Sequence, residues 1–142
     1  MKSKNTLTRA HYESLAEFRY ALRKFLHFSE AAAHSAGLTP QQHQALLAIK
    51  GFPGGGHITI GELAERLQIK HHSAVGLADR LTLEKYVRRA TDPRDHRQVR
   101  LTLTARGENK LATLSAIHRE QLQRIAPQLD NLLQALRAKS ST

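Results

Sequence analysis

Between Val99 and Thr104 the spacing of apolar side chains changes. On either side, apolar residues recur every three or four positions, the period of a helix with one buried face. Here Val99, Leu101 and Leu103 alternate with Arg100, Thr102 and Thr104, the period of a strand with one face turned to water. Tyr86-Val87-Arg88-Arg89-Ala90-Thr91 is a second, weaker strand candidate, and the polar turn Asp92-Pro93-Arg94-Asp95-His96-Arg97 lies between the two. The expected fold class is therefore mainly α with a small β-hairpin (α+β). At 142 residues the chain has the length of one domain, 1–142, and needs no disulfide or metal staple to fold.

The helical stretches are punctuated by start and stop signals. Tyr12, Leu15, Phe18, Leu22, Phe25 and Leu26 predict a helix over 10–33, with Gly37 as its stop. Thr39-Pro40-Gln41-Gln42 is a capping box with proline at the first helical position, and the helix it opens runs through Leu46, Leu47 and Ile49 to Gly51. Phe52-Pro53-Gly54-Gly55-Gly56 breaks the chain, and His57–Ile60 has room for a very short strand. Thr59-Ile60-Gly61-Glu62 is a second capping box, opening a helix through Leu63, Ala64 and Leu67. After the tight turn Gln68-Ile69-Lys70, a helix over 71–84 turns Ala74, Leu77, Ala78 and Leu81 inward, with Ile69 plugging the turn into the core. Beyond Gly107, Leu111, Leu114, Leu122, Ile125, Leu129, Leu132, Leu133 and Leu136 predict helix to the end, kinked or split near Ile125 by Pro127. So long an apolar stripe, with few other elements to cover it, points to a second chain.

Charge narrows the function. The chain holds 22 Lys+Arg against 12 Asp+Glu, a net +10, which points to a polyanionic partner. Half of the surplus lies in residues 85–106, where Lys85, Arg88, Arg89, Arg94, Arg97, Arg100 and Arg106 face only Asp92 and Asp95. Arg makes forked contacts with phosphates and base edges that Lys cannot. There is no cysteine, which excludes disulfides, iron–sulfur clusters and thiol redox sensing. No segment has the apolar length of a signal peptide or a membrane span, so the expectation is a cytoplasmic protein with no membrane partner.

Two short helices, a tight turn and a basic hairpin form a winged helix-turn-helix. The second helix starts with Lys70, His71, His72 and Ser73, the end that a recognition helix presents to the major groove. Val75, Gly76 and Arg80 complete its candidate DNA-facing residues, with Val75 suited to thymine methyls and Gly76 to close approach. In the hairpin, Arg88, Arg94, His96, Arg97 and Arg100 are the candidate DNA contacts. An Arg at the tip can enter the narrow minor groove, and strand cations can meet phosphates.

These residues resemble the MarR (multiple antibiotic resistance regulator) family. The resemblance rests on Thr59–Leu67, the turn, Ser73–Leu81 with its Ala78-Asp79-Arg80-Leu81 end, the Asp92-Pro93-Arg94-Asp95-His96-Arg97 wing and Leu101-Thr102-Leu103-Thr104-Ala105-Arg106-Gly107. It implies a homodimer whose terminal helices, 10–36 and 107–142, interlock, around a DNA-binding region over 39–106. It also implies a pseudo-palindromic double-stranded operator and, for many members, a repressor released by a small, often phenolic, ligand. Arg94 would be the minor-groove contact. Arg97 would touch phosphate or pair with Asp92 or Asp95, stiffening the wing, and Arg80 would contact backbone or hold the wing. Tyr20, His27 and His43 are candidates for lining an effector crevice. One departure stands out: many members have Gly where this chain has Lys85, so the helix end is remodelled or Lys85 supplies a phosphate contact.

Other readings of the same residues stay open. The nine His allow a metal-responsive regulator, although no His pair has ligand spacing on one helix and no metal ligand or cofactor is assigned. A sequence-indifferent architectural DNA binder would carry the same charge, and a winged helix can serve as a protein-interaction module. Nothing suggests an enzyme: there is no phosphate-binding glycine loop, nucleophile elbow or convergent acid pair.

Overall fold

A computed structural model describes residues 6–138. The elements in chain order are α1 (Arg9–Ser35), α2 (Pro40–Lys50), β1 (His57–Thr59), α3 (Ile60–Leu67), α4 (His71–Leu83), β2 (Val87–Thr91), β3 (Val99–Leu103) and α5 (Ala105–Arg137). Both capping boxes form. The Thr39 hydroxyl accepts from the Gln42 amide at 3.1 Å while the Gln42 side chain accepts from the Thr39 amide at 2.9 Å. Thr59 and Glu62 repeat the exchange at the start of α3. Three helices end in the same left-handed turn. After α1 the positive-φ residue is Gly37, and the Leu38 amide reaches back to the Ala33 carbonyl at 2.9 Å. After α3 and α4 the same place is held by Gln68 and Lys85.

The described chain forms two compact units. One contains the residues up to Ala31 together with those from Ile117 onward, and the other is Ala32–Ala116. The apolar core belongs to the second unit: Leu38, Leu46, Ile49, Ile58, Leu63, Leu77, Leu81, Leu101 and Leu114 are each almost wholly enclosed. Such burial is worth about 1.5–3 kcal/mol per side chain before conformational entropy is charged against it.

The hairpin is part of a larger sheet. β3 pairs antiparallel with β2 on one side and with β1 on the other, giving the order β1-β3-β2. Leu101 stands opposite Ile58 of β1 and Arg89 of β2. Leu101 and Leu103 are buried with Ile58 and Val87, while most of β2 is exposed. The sheet therefore anchors the wing by its root and leaves its tip in solvent.

In the first unit, Ala21 is the one buried residue among those described. Phe25 and Phe28 both meet the His118 ring edge-on, at 5.9 and 5.5 Å between centroids, and His118 Nε2 lies 2.8 Å from Ser29 Oγ. Tyr12, Leu15, Leu22, Leu26, Ile117, Leu122 and Leu133 are exposed.

Pro127 does not divide the last helix. α5 runs through it from Ala105 to Arg137 as one element. Proline removes a single donor, the one that would have met the Gln123 carbonyl, and Gln123 is exposed, so water can take that place. The expected split near Ile125 is corrected to a continuous helix.

Candidate nucleic-acid interface

α4 is held by its buried stripe of Ala74, Leu77, Ala78 and Leu81, each at most 1% exposed. The small Ala74 and Ala78 permit close approach of neighbouring elements. The start of the helix differs from those of α2 and α3. Lys70 stands at the N-cap and makes no side-chain cap, and His71, His72 and Ser73 are exposed. Open amides and the positive end of the helix dipole together attract an anion. Val75 and Gly76 are partly exposed on the same helix. Nothing in the fold requires Gly76, since a Cβ there would meet only the Arg80 guanidinium, at 3.9 Å.

The wing tip is ordered by its two aspartates. Asp92 Oδ1 accepts from the Arg94 amide at 2.8 Å, and Asp95 Oδ1 accepts from the Arg97 amide at 3.1 Å. Asp95 also accepts from Arg97 Nε at 3.1 Å. The Arg97 guanidinium, then its amide, hold the Asp95 carboxyl below the usual carboxylate range. The Asp92 amide donates to the Gln98 carbonyl at 3.0 Å and closes the turn.

The cations divide into those with partners inside the protein and those without. Arg89 pairs with Asp79 of α4 at 2.5 Å, so the hairpin is braced against that helix by the neighbour of Arg80 and not by Arg80 itself. Arg100 is directed to β1, where its guanidinium donates to His57 Nε2 at 2.8 Å. Arginine has no acceptor, so His57 takes this bond with a lone pair on Nε2. Arg106 lies over the Tyr86 ring, 4.5 Å from its centroid, and donates to its hydroxyl at 3.2 Å. Arg97 belongs to Asp95. By contrast, the side chains of Lys70, Arg80, Lys85, Arg88 and Arg94 are exposed and make no hydrogen bond or ion pair among the described residues. His96 is exposed beside Arg94.

Helix α4 and the wing meet at Lys85. The Tyr86 amide donates to the Leu81 carbonyl at 2.9 Å and the Lys85 amide to the Thr82 carbonyl at 3.0 Å, the two bonds of a Schellman turn. Lys85 takes φ +65° there, so the helix end is kept as glycine would form it and is not remodelled. A side chain in this region costs roughly 1–2 kcal/mol. Thr104 then locks the elbow to the start of α5: its hydroxyl donates to the Lys85 carbonyl at 2.6 Å and accepts from the Gly107 amide at 3.1 Å. The Thr104 amide donates to the Tyr86 carbonyl at 3.0 Å.

The anticipated effector residues are divided between the units. Tyr20 and His27 are exposed in the first, and His43 is buried at 4% exposure in the second. An open hollow of about 490 Å³ in the second unit is lined by Arg106, Asn109, Lys110 and Thr113, and by none of these three. Among the described residues no group of three or more His, Asp or Glu is placed to hold a metal ion, and no helix is long and apolar enough to cross a membrane.

Residues 36–98, from the end of α1 to the wing turn, match the model of the MarR family. Over that stretch, 63 of its 142 residues, the chain is similar to the MarR family. The HTH-type transcriptional repressor MdtR of Bacillus subtilis (strain 168) is 31% identical over 80 residues, which are 56% of this chain and 50% of that one. The chain thus spans half the length of this curated relative. Among solved structures, a single-substitution mutant of S. aureus MepR bound to an oligodeoxyribonucleotide is similar at a TM-score of 0.64 and 22% identity, covering 87% of this chain and 86% of that one. NadR in complex with 4-hydroxyphenylacetate is similar at a TM-score of 0.71 and 22% identity, covering 91% and 85%. At such identities these likenesses establish the fold, a winged helix of the MarR type with long terminal helices.

The structure gives a place at the site to residues that the sequence reading assigned no role there. Asp79 and His57 hold wing arginines, and Tyr86 holds Arg106. Gln42 spans from the cap of α2 to the end of α4, its amide donating to Glu84 Oε2 at 2.6 Å. The pattern Thr-x-x-Gly at 104–107 is the one visible signal for the locking of the elbow, because the pair serves as cap and close contact.

Proposed function

We propose that this chain is a sequence-specific DNA-binding regulator of transcription, acting as a homodimer on a pseudo-palindromic operator, and that it represses. It is read as a regulator and not as an enzyme. One observation carries the reading: in the second unit, the cations left without internal partners, Lys70, Arg80, Lys85, Arg88 and Arg94, lie on exposed α4, its two ends and the wing. Lys70, His71, His72, Ser73, Val75 and Gly76 enter the major groove, Arg80 and Arg88 meet backbone, and Arg94 with His96 reaches the flanking minor groove. Arg97, Arg100, Asp92 and Asp95 keep the wing in shape for this task. The exposed apolar residues of the first unit supply the surface that a second copy covers. Likeness to a repressor supports the sign of regulation. Likeness to a protein solved with 4-hydroxyphenylacetate supports release by a small aromatic acid, with Tyr20, His27 and His43 as the side chains to test.

Titration of the purified chain against DNA from upstream of its own coding sequence, and against a scrambled duplex at matched salt, tests the reading. A regulator binds one site ~10³–10⁷-fold tighter than random duplex. Equal affinities favour an architectural binder.

A further inference from the structure

We infer that Lys85 is a contact for a nucleic-acid phosphate, placed at the elbow between the recognition helix and the wing; this rests on the DNA-binding reading above. Two residues in the described chain other than glycine have positive φ, Gln68 at 53° and Lys85 at 65°. Gln68 has a local reason for its conformation. Its side-chain amide donates to the Glu65 carbonyl at 2.8 Å and to Glu65 Oε1 at 3.2 Å, tying it to the end of its own helix. Lys85 has no such tie. Its side chain is exposed, and its ammonium makes no hydrogen bond or ion pair among the described residues.

The carboxylates that could neutralise it are engaged elsewhere. Glu84, its neighbour in sequence, accepts from Gln42 at 2.6 Å. Asp79, on the same helix, is paired with Arg89. The turn itself needs only backbone groups, because both of its hydrogen bonds run between amides and carbonyls. Glycine would make the same turn without strain. A strained backbone that is kept despite an easier alternative is a pointer to function. What lysine adds is an uncompensated, mobile positive charge between Arg80 on one side of the elbow and Arg88 on the other, which are also unpartnered among the described residues. A phosphate of the duplex backbone is the group that such a cation would take.

The test is the salt dependence of binding to a fluorescent duplex of mixed sequence, about 30 base pairs long, measured for the full-length chain. Losing one phosphate contact lowers the slope of log K against log salt by about 0.9. Lys85→Gly is expected to lose that amount, so that its deficit against the unsubstituted chain narrows by about 3.5-fold between roughly 50 and 200 mM salt. The same variant is expected to melt at a higher temperature, since it sheds the strain. Lys85→Arg, which keeps charge and strain, is expected to restore the slope. Lys50→Gln removes an equal charge from a residue paired with Glu108, and is expected to leave the slope in place. An unchanged slope in Lys85→Gly, or an equal fall in Lys50→Gln, overturns the assignment while leaving the DNA-binding reading intact. Failure of the unsubstituted chain to bind duplex at low salt overturns both.

Discussion

A Cβ placed on Gly107 would overlap the carbonyl oxygen of Tyr86. That oxygen accepts the Thr104 amide, and Tyr86 is the residue that closes the end of α4. The contact therefore sets how α4, the wing root and the start of α5 meet. Alanine is the better helix former by about 1 kcal/mol, yet Gly107→Ala should destabilise the fold by about 1–3 kcal/mol, because backbone must move to admit it. Urea unfolding followed by circular dichroism measures the difference. Unchanged or increased stability would show that the elbow yields.

The Arg89–Asp79 pair holds a cation of the wing in reserve. Its exposed geometry makes it worth at most ~1 kcal/mol to stability. Asp79→Asn should therefore barely alter the melting temperature, while freeing Arg89 for phosphate. Binding to non-specific duplex should tighten, and its salt slope should steepen by about 0.9. Isothermal titration across a salt series reads this directly, and an unchanged slope would mean that Arg89 stays on the protein.

Acidification should loosen the wing through Asp95. Its folded-state value is depressed, chiefly by the Arg97 side chain and then by the Arg97 amide. A depressed acid contributes above its unfolded value and loses that contribution as pH falls through the folded one. Order at 95–97 should accordingly persist at neutral pH and fade below the ordinary carboxylate range. Carbon-13 NMR of the Asp95 carboxyl should give a midpoint below that of aspartate in an unstructured peptide. A midpoint at or above the peptide value would contradict the pairing in solution.

Dimerisation through the first unit makes its own prediction. Leu26 is 47% exposed and Leu122 is 42% exposed, so neither is required for the core of a single chain. Leu26→Glu combined with Leu122→Glu should leave helix content intact and convert a dimer to a monomer in sedimentation velocity. An unchanged sedimentation coefficient would place the dimer interface elsewhere.

Much of this architecture is legible in the sequence because its signals are local. The Thr39/Gln42 and Thr59/Glu62 boxes begin helices where they stand in the sequence, and the alternation from Val99 to Leu103 marks a strand. The wing aspartates are visible as a pair three residues apart, each able to hold the amide two positions on. What cannot be read depends on distant partners. The third strand is β1, whose His57 pairs with Thr102, and nothing near His57 announces that register. Arg89 and Arg100 read as free cations until Asp79 and His57 are brought beside them. Pro127 misleads for the opposite reason: a strong local signal is overridden because the carbonyl it orphans belongs to an exposed residue.

The central claim is that a paired recognition helix and wing read a two-fold DNA site. Selection of bound duplexes from a random pool by the purified chain, at near-physiological salt, tests it most directly. The account predicts enrichment of one inverted repeat with half-sites about 10 base pairs apart, or a near multiple of that spacing. An Arg94→Ala variant should recover the motif with weakened flanking positions. A pool that stays random after repeated rounds, although the protein retains DNA, would contradict it.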